Sequence, residues 1–520
     1  MSTASLVNLG DVLRLPAHGE RVAYIDQRDP ARAHEYTATA LDALIAAVAR
    51  GLARRGVRPG DRIGILSENR AEFVATYFGV MRLGAVAVPI NHKFPPATIA
   101  HICRDSAIRL AVADHPRQAL VPAGLPTIGL DDHTASGFRA LLDPGAFSTY
   151  VPAEDDVAEI LYTSGSTGFP KGVPLTHRGQ LWAIEQYLTP FTATAPRDTT
   201  LVVAPLYHMN GLFFTTVALA SRMTVISQPR FEARRYLETV AEARCTVLSG
   251  IPTMFALMVR ERDLVARLDL RSVAEVMIGS APLTDALLQQ VQSLFPAAHV
   301  ENGFGTTEAG PAVFGPHPDG LATPPLSLGY PIPAIGCRLV DGPSPDEGVL
   351  ALRTPALMRG YLNLPEATSA RMRDGWYLTG DVMRRDAEGF YYFLGRSDDM
   401  FVCSGENIYP GEIEKLLERH PRVAQAIVVP APDDIRGYVP VAFLVPRGEP
   451  MSVEEITQYA VAEGPVYAYP RIIEWRDTLP VSGTHKIDRT LLTAEAARLA
   501  RATGRTTSSA GSEPSPAASR

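Results

Sequence analysis

Short apolar runs alternate with segments of helically spaced apolar residues along the first third of the chain. The runs predict strands and the spaced segments predict helices. The predicted strands are Arg62–Leu66, Ala85–Ile90 and Leu110–Ala113, and the predicted helices are Thr39–Gly56, Ala71–Leu83 and Pro95–Arg104. Such alternation is typical of a parallel sheet covered by helices. It resumes at Glu159–Tyr162, Leu201–Ala204, Thr224–Ile226 and Val276–Ile278, so we expect a large α/β domain.

The first predicted helix carries signals at both ends. Thr39 is the predicted N-cap, because a hydroxyl oxygen can accept a hydrogen bond from a free backbone N–H of the first turn. Gly56 follows two arginines and predicts the end of the helix, since glycine readily adopts the left-handed conformation found there.

The pattern changes in the second half of the chain. Pro311–Pro345 is dense in proline and glycine, and Gly348–Leu352 and Gly389–Leu394 predict short strands of a β-rich subdomain. From Met400 onward the pattern is that of a compact α+β domain. Its predicted helices are Pro410–Glu418 and Val453–Glu463, and its predicted strands are Ala424–Pro430, Pro440–Val445 and Ile472–Trp475. Residues 503–520 have no large apolar side chain, so we expect a disordered tail.

Composition and charge exclude several classes of protein. Of the 520 residues, 46% are hydrophobic and 20% charged, as in soluble globular proteins of several domains. The formal net charge of −7 argues against nucleic acid as a partner. Four scattered cysteines without CxxC spacing argue against a zinc site or a disulfide framework. No signal-like segment and no spanning apolar stretch is evident, so we expect a cytoplasmic protein without a membrane span.

Lysine is rare in this chain. Of the 49 basic residues 45 are arginines, and the lysines are Lys93, Lys171, Lys415 and Lys486. Because arginine is the usual basic residue of this chain, each lysine is notable. A position that needs a compact charge with freely rotating donors is one reason for lysine in place of arginine.

The segment from Ile160 to Gly172, ILYTSGSTGFPKG, is the strongest chemical signal. A predicted strand leads into a loop with three glycines, four hydroxyl side chains and Lys171. Glycines let the backbone approach an anion, and hydroxyls donate hydrogen bonds to it. The segment does not follow the P-loop pattern GxxxxGK[ST], and alone it fits a surface loop equally well.

Further short motifs follow in the chain. They are Gly303–Glu308 (GFGTTE), Leu378–Asp381 (LTGD), Gly395–Asp399 (GRSDD) and Pro480–Arg489 (PVSGTHKIDR). The first offers threonine hydroxyls for phosphate and a carboxylate for magnesium, and the second places an acid at a predicted strand end, where it can bind ribose hydroxyls. Each alone fits a turn or a solvated charge.

Together these motifs resemble the adenylate-forming superfamily of acyl-CoA synthetases, adenylation domains and luciferases. YTSGSTGFPKG, FGTTE, DGWYLTGD, GRSDDMFVCSGENIYPGEIE and PVSGTHKIDR occur in the family's order between about Tyr36 and Arg489. The resemblance implies an α/β fold, with a large N-terminal domain of helix-covered sheets and a β-rich subdomain, and a smaller mobile α+β C-terminal domain. It implies domains at 1–397 and 398–502, with the tail at 503–520. It also implies an acid–CoA ligase that uses ATP, Mg²⁺ and coenzyme A.

The resemblance assigns residues to the nucleotide. It implies that Thr163, Ser164, Gly165, Ser166, Thr167, Gly168 and Lys171 hold the β- and γ-phosphates. Gly279, Ser280, Ala281 and Pro282 are expected to line the adenine, with Phe304 stacked on it. Gly303, Gly305, Thr306 and Thr307 complete the nucleotide site, with Thr307 at the α-phosphate, and Asp381 and Arg396 bind the ribose. Glu308 is the expected magnesium ligand, and Lys486 bridges the carboxylate and the α-phosphate.

The same resemblance assigns the second half-reaction and the acid. It makes Asp398 the hinge of a rotating C-terminal lid, and places Ser404 and Gly405 along the path of the thiol, where many relatives carry two glycines. His208, Met209, Asn210, Gly303 and Gly310 are expected to border the carboxylic acid. The expected apolar wall consists of Met209, Phe213, Phe214, Trp182 and Phe304. The sequence segments PLYH, FGTTEA and GRSDDM most resemble those of aryl-CoA ligases. We therefore favour an aromatic acid over a medium-chain acid as the substrate.

Other functions fit the same residues. An adenylation enzyme that loads a carrier protein is the alternative enzyme, although no carrier domain is evident after Arg489. A luciferase-type oxygenase is a further possibility of the fold. A nucleotide or acyl-adenylate sensor is the non-enzyme alternative, and the presence of Lys171, Glu308, Asp381, Arg396 and Lys486 argues against it. A homodimer is compatible with the resemblance.

Overall fold

The chain divides into two compact units in this computed structural model. The structure describes residues 6–14, 19–29, 32–135, 137–163, 169–191, 199–403, 406–464, 468–481 and 487–503. One unit comprises Met1–Thr379 with Met383–Phe393, and the other comprises Gly380–Val382 with Leu394–Arg520. The division therefore runs through two strands, 376–385 and 391–396.

The N-terminal unit contains two large sheets and their helices. Its strands, the last two of which cross the boundary, are β1 (Val22–Asp26), β2 (His34–Thr37), β3 (Arg62–Leu66), β4 (Val86–Pro89), β5 (Ile108–Ala113), β6 (Thr127–Gly129), β7 (Val157–Thr163), β8 (Lys171–Thr176), β9 (Thr199–Val202), β10 (Thr224–Ser227), β11 (Val247–Gly250), β12 (Glu275–Gly279), β13 (His299–Gly303), β14 (Phe314–Gly315), β15 (Tyr330–Pro331), β16 (Gly336–Ser344), β17 (Glu347–Arg353), β18 (Met372–Arg373), β19 (Trp376–Arg385) and β20 (Tyr391–Arg396).

The helices of this unit are α1 (Ala38–Arg54), α2 (Ala71–Arg82), α3 (Pro96–Asp105), α4 (His115–Gln118), α5 (Phe138–Leu141), α6 (His177–Phe191), α7 (Met209–Ala220), α8 (Ala233–Glu242), α9 (Pro252–Arg260), α10 (Arg262–Val265), α11 (Asp285–Leu294) and α12 (Pro365–Arg371). A 3-10 helix, Leu9–Arg14, precedes them. The long apolar faces of α1 and α2 are buried because they pack on each other and on the sheets.

The first sheet has seven strands in the order β13-β12-β11-β9-β10-β1-β2. All neighbours are parallel except β1 and β2. Because β11, β12 and β13 are parallel, their carboxyl ends lie at one edge, where Gly279 pairs with Gly303, and their amino ends lie at the other, where Glu275 pairs with His299.

The second sheet has six strands in the order β6-β5-β3-β4-β7-β8. It is parallel except for its last pair, since β7 turns back into β8 as an antiparallel hairpin. A third sheet, β16-β17-β19-β18 with β20 on β19, forms the β-rich part predicted from the proline- and glycine-dense region.

The C-terminal unit is the expected α+β arrangement. Its strands are β21 (Phe401–Cys403), β22 (Glu406–Ile408), β23 (Val423–Asp433), β24 (Gly437–Pro446) and β25 (Ile472–Trp475), and its helices are α13 (Pro410–Glu418), α14 (Val453–Glu463) and α15 (Arg489–Ala502). The sheet order is β22-β21-β24-β23, with β25 parallel on β24. A capping box, in which Ser452 and Glu455 bind each other's backbone, begins α14.

Two local predictions were wrong. The N-cap of α1 is Thr37 and not Thr39, because the Thr37 side chain accepts the hydrogen bond from Ala40 N at 3.1 Å. Asp381 lies inside β19 and not at a strand end. The preceding Gly380 has a φ of +78°, a conformation typical of a bulge, so the strand continues past it.

The prediction that the first helix ends at Gly56 is confirmed. Gly56 follows the helix with a φ of +79°, and its N–H donates to Ala53 O at 2.9 Å. None of the helices in the described ranges is both long and apolar enough to cross a bilayer.

Candidate active site

The glycine-rich segment begins at the end of β7 and ends at the start of β8. Thr163 and Lys171 pair across the hairpin, so the two ends of the predicted phosphate loop lie side by side. Ser164, Gly165, Ser166, Thr167 and Gly168 are outside the described residues. Phe169 is exposed and stacks on the ring of His101, with centroids 4.3 Å apart.

Lys171, Tyr361 and Glu308 form a cluster that joins two predicted site residues. The Lys171 ammonium lies 5.0 Å from the centre of the Tyr361 ring, a cation–π contact. The Tyr361 hydroxyl donates to Glu308 Oε1 at 2.9 Å, and the Tyr377 hydroxyl donates in turn to Tyr361. The cluster therefore holds the Glu308 carboxyl by a chain of two tyrosines.

Sequence reasoning missed Tyr361 and Tyr377. Burial, together with the charge of Glu308, raises the pKa of both phenols well above their ordinary value, so each remains a hydrogen-bond donor at neutral pH. The backbone holds the segment in place, since Met358 N donates to Glu308 O at 2.7 Å and Leu362 N donates to Gly172 O at 2.8 Å.

The turn that carries Glu308 is tightly built. Thr306 N donates to Gly310 O at 3.1 Å, and the Thr306 hydroxyl accepts from Ala309 N at 2.9 Å. A Cβ at Gly305 would lie 2.5 Å from Pro311 Cα, so only glycine fits there. Thr306 thus shapes the turn, while Thr307 is half-buried beside Glu308.

The predicted adenine residues stand at the carboxyl ends of β12 and β13. Gly279 ends β12 and pairs with Gly303, and Ser280, Ala281 and Pro282 follow before α11. Ser280 has a φ of +65°, rare for a residue with a side chain, and its hydroxyl accepts from Asn210 Nδ2 at 3.2 Å. One contact therefore connects the predicted adenine segment to the predicted acid pocket.

The predicted wall of the acid pocket lies in the core of this unit. Phe213 is buried, and Trp182, Met209, Phe214 and Phe304 are partly buried against the same hydrophobic cluster. The Phe304 ring lies 5.8 Å from the Phe314 ring in a tilted arrangement. Gly310, at the end of the Glu308 turn, is buried with a φ of +94°.

His208 is the N-cap residue of α7, so Met209 and Asn210 form its first turn. The Tyr207 ring lies edge-on between the rings of His208 and His92, at 4.7 Å and 5.1 Å. A buried residue that sequence reasoning missed, Asn69, anchors this segment. Its amide accepts from Leu206 N at 2.9 Å and donates to Ala204 O at 3.0 Å and to Gln228 O at 3.2 Å.

The predicted ribose residues are neighbours in the C-terminal unit. Arg396 Nη1 donates to Asp381 Oδ1 at 2.9 Å, and Arg396 Nη2 donates to Asp398 Oδ2 at 3.2 Å. These two carboxylates raise the pKa of the guanidinium against the opposing effect of its burial. Ser397 N donates to Gly380 O at 2.7 Å, which ties the predicted hinge segment to β19.

Three predicted site residues of the C-terminal segments also lack a described geometry. Ser404, Gly405 and Lys486 lie outside the described residues. Within the described part of the chain no three histidine, cysteine or acidic side chains gather as a metal site. A lone carboxylate such as Glu308 nevertheless fits magnesium that arrives on the nucleotide, since Mg²⁺ there takes one or two carboxylates besides phosphate oxygens and water.

Family models match both units. A model described as AMP-binding enzyme matches residues 14–362, and one described as AMP-binding enzyme C-terminal domain matches residues 412–486.

Curated relatives include a feruloyl-CoA synthase of Amycolatopsis sp, 33% identical over 85% of this chain and 90% of the relative. A fatty acid–acyl-carrier-protein ligase, ScoC of Streptomyces coeruleorubidus, is 31% identical over 85% of this chain and 88% of the relative. Among solved structures, the anthranilate CoA ligase AuaEII in complex with anthranoyl-AMP matches with a TM-score of 0.86 and 26% identity, covering 96% of this chain and 100% of that one.

Proposed function

The chain belongs to the AMP-binding enzyme family, and we propose that it joins an aromatic or medium-chain carboxylic acid to coenzyme A. It is an AMP-forming acid–thiol ligase. The carboxylate attacks the α-phosphorus of ATP and pyrophosphate leaves, which gives an acyl-adenylate. The thiol then attacks the acyl carbon and AMP leaves, which gives the thioester.

The residue roles are part of the proposal. Thr163 and Lys171 hold the β- and γ-phosphates, and Glu308 holds the magnesium that accompanies ATP. Asp381 and Arg396 bind the ribose, while Lys486 neutralises charge where the acid meets the α-phosphate. The contribution of these groups is positioning and charge stabilisation, which are the main catalytic needs of such a step.

The observation that carries the proposal is the Lys171–Tyr361–Glu308 cluster. A cation and a carboxylate, far apart in sequence, both contact one tyrosine, the cation over its ring and the carboxylate at its hydroxyl. Both are the groups that a polyphosphate and its magnesium require, and a purely structural ion pair would need no such intervening ring.

We propose two functional domains, an adenylate-forming domain at 1–397 and a mobile lid at 398–502. The family matches, 14–362 and 412–486, lie on either side of this boundary. Asp398 is the proposed hinge residue, because one active site that serves two half-reactions requires a few residues to absorb a change in φ and ψ.

The decisive experiment measures pyrophosphate release from ATP with a panel of aromatic and alkanoic acids, with and without coenzyme A. We expect acid-dependent release, and a CoA thioester only when coenzyme A is present. Release that does not depend on any acid would overturn the proposal.

A second function has support from one relative. The fatty acid–acyl-carrier-protein ligase makes a carrier protein a candidate acceptor. Replacing coenzyme A in the same assay with a phosphopantetheinylated carrier protein separates the two. A thioester on the carrier and none on coenzyme A would favour the second function.

A further inference from the structure

Helix α3 ends on an acidic residue that the helix itself does not favour. Asp105 is the last residue of α3, where carbonyl groups without helical partners make the end of a helix partly negative. A carboxylate at this end is repelled by the helix dipole, so the stability of the helix does not explain it. Its contacts outside the helix offer a reason.

Two distant segments donate to the Asp105 carboxylate. The Tyr162 hydroxyl donates to Oδ2 at 2.7 Å. Asn363 Nδ2 donates to Oδ1 at 3.0 Å and to the Asp105 carbonyl oxygen at 2.9 Å. Burial raises the pKa of the Tyr162 hydroxyl, and the bond to Asp105 raises it further, so the phenol remains a donor. The aspartate therefore joins the end of β7 to the segment that follows Tyr361.

The first of these contacts fixes the strand end that leads into the glycine-rich segment. Tyr162 precedes Thr163, and the two side chains point to opposite faces of the sheet because side chains alternate along a strand. Tyr162 pairs with Gly172 in the register of β7 and β8. A Cβ at Gly172 would lie 3.0 Å from Tyr162 Cζ, so the glycine leaves the space beside the phenol ring. Thr163 and its partner Lys171 share the opposite face.

The second contact fixes the segment that carries Tyr361. This segment bonds to the free edge of β8, the last strand of its sheet, since Leu362 N donates to Gly172 O at 2.8 Å. One residue earlier, the centre of the Tyr361 ring lies 5.0 Å from the Lys171 ammonium. Asp105 therefore joins the two elements on either side of the strand that begins with Lys171.

The same face of α3 contacts the other end of the glycine-rich segment. His101 lies four residues before Asp105, so the two side chains share one face of the helix. The His101 ring stacks on Phe169, two residues before Lys171, with ring centroids 4.3 Å apart. One helix face thus contacts the residue before Thr163 and a residue just before Lys171.

We propose that Asp105 is a positioning residue for the first half-reaction. Through Tyr162 and Asn363 it sets the placement of the Lys171 ammonium against the Tyr361 ring, and with it the geometry that receives the β- and γ-phosphates of ATP. The inference rests on the proposed ligase function and adds to it a residue that acts on the phosphate end of the nucleotide through two neighbours.

The first test compares two nucleotides that differ in the phosphates concerned. Calorimetry measures the Kd of ATP with Mg²⁺ and the Kd of AMP, both without a carboxylic acid. Asp105→Ala removes the acceptor of Tyr162 and Asn363, so we expect the Kd of ATP to rise about tenfold, as for the loss of a hydrogen bond to a charged group. The Kd of AMP should stay at the parent value. A merely structural role would change both or neither.

A conservative variant and a matched control accompany this test. In Asp105→Asn the amide oxygen can accept from Asn363 and the amide nitrogen can donate to the Tyr162 oxygen, so ATP affinity should largely return. Tyr162→Phe keeps the ring and removes one donor, and we expect the Kd of ATP to rise about threefold. The control is Tyr150→Phe, whose hydroxyl donates at 2.9 Å to Asp156, the residue before the other end of β7. It should bind both nucleotides as the parent does.

The second test separates the two half-reactions by rapid quench. It uses the acid that releases pyrophosphate fastest in the panel, and the adenylate of that acid. Asp105→Ala should slow formation of the acyl-adenylate from ATP about 10- to 100-fold, because a small misplacement of the binding groups is costly. Thioester formation from supplied acyl-adenylate and coenzyme A should proceed at the parent rate, since no β- or γ-phosphate takes part.

The outcomes separate this inference from the function on which it rests. Losses confined to ATP and to the first half-reaction, with recovery in Asp105→Asn, support it. Parent ATP affinity in both Asp105→Ala and Tyr162→Phe, or equal losses for ATP and AMP, overturns it and leaves the ligase function standing. If Asp105→Ala does not fold, Tyr162→Phe against Tyr150→Phe decides. Absence of acid-dependent pyrophosphate release in the parent enzyme overturns the ligase function, while the binding test still decides whether Asp105 acts on ATP.

Discussion

Two glutamates of the N-terminal unit each accept a hydrogen bond from a tyrosine hydroxyl at 2.9 Å, but their surroundings differ. Tyr361 donates to Glu308 in the candidate site, and Tyr77 donates to Glu159 in the middle of β7. Glu308 is half-buried on a turn beside the Lys171 cluster, while Glu159 is only 2% exposed. The same hydrogen bond thus occurs at a half-buried carboxyl of the candidate site and at a carboxyl hidden in the core.

The pKa of the buried glutamate shows what burial does. Desolvation raises the pKa of Glu159 from 4.5 to about 7, although the bond from Tyr77 acts in the opposite direction. The folded state therefore favours the neutral acid, as expected for a buried carboxyl whose pKa is shifted mainly by desolvation. Position relative to charge and solvent, and not residue type, distinguishes a candidate catalytic carboxylate from a structural one.

The largest expected effect follows from neutralising the glutamate of the site. Glu308→Gln keeps the shape and the hydrogen bond from Tyr361 but removes the charge that would bind magnesium. We expect the rate of pyrophosphate release to fall about 100- to 1,000-fold, the range found when a single charge-stabilising group is removed. The check is pyrophosphate release over a series of Mg²⁺ concentrations.

Binding of AMP without magnesium is the control for Glu308→Gln, because it does not need the metal ligand. Calorimetry should give the parent affinity, and the thermal midpoint should not move. An unchanged Mg²⁺ dependence would show that Glu308 does not hold the metal.

The same substitution at the buried glutamate is expected to stabilise the protein and to leave catalysis alone. Between pH 4.5 and about 7 the folded state binds more protons at Glu159 than the unfolded state, so the free energy of unfolding falls as pH rises. Glu159→Gln removes this penalty. At pH 8 we expect a gain on the order of 3 kcal/mol, which shrinks towards zero at pH 5.

Urea unfolding at pH 5 and pH 8 measures this difference. Glu242→Gln, on the surface of α8, serves as the control and should show the same stability as the parent at both values. A Glu159→Gln variant that is less stable than the parent at pH 8 would mean that the buried carboxylate is charged and well solvated or paired.

A smaller effect is expected when the site loses its tyrosine hydroxyl. Tyr361→Phe keeps the ring under Lys171 but removes the donor to Glu308, so the carboxylate keeps its charge and loses its orientation. A hydrogen bond to a charged group contributes enough for about a tenfold fall in kcat for pyrophosphate release. Stopped-flow or rapid-quench measurement of the first turnover checks it.

Tyr392→Phe is the matched control for Tyr361→Phe. Its hydroxyl also donates to a carboxylate at 2.9 Å, that of Asp386, but it is not part of the cluster. We expect parent activity from this variant. Equal losses in both variants would show that a tyrosine–carboxylate bond supports the fold generally and that Tyr361 does not position Glu308.

The fold could be predicted where local periodicity decides it. The bounds of Arg62–Leu66, Pro410–Glu418, Val453–Glu463 and Ile472–Trp475 agree with prediction, since apolar spacing and end signals lie within each segment. The N-cap of α1 could not be chosen between Thr37 and Thr39 by such rules, because both are threonines two residues apart and the cap geometry selects one.

The candidate site was predicted as motifs but not as a set of contacts. Lys171 and Glu308 stand in recognisable segments, yet the residue between them, Tyr361, is 53 positions from Glu308. Asn69 lies 137 positions from Leu206, the residue that it holds. A polar side chain that serves a distant backbone or carboxyl has no periodic signal, so only the folded structure identifies it.

The smallest expected effect follows from removing the tyrosine hydroxyl of the buried Tyr77–Glu159 pair. Tyr77→Phe removes the hydroxyl that donates to Glu159 and leaves the ring packed edge-on against Phe78, 5.0 Å away. At pH 5, where the carboxyl is neutral, we expect a loss of about 1 kcal/mol, the net contribution of an ordinary hydrogen bond. Because that bond lowers the pKa of Glu159, its removal should raise the pKa further. The decline in stability with pH should therefore still begin near pH 4.5, but continue to a higher pH and end at a greater loss. Urea unfolding at half-unit steps from pH 5 to pH 9 measures both quantities in one series. A variant whose stability curve runs parallel to that of the parent across this range would show that Tyr77 contributes packing alone, and the likeness between the two tyrosine–glutamate pairs would then be one of geometry without a shared electrostatic role.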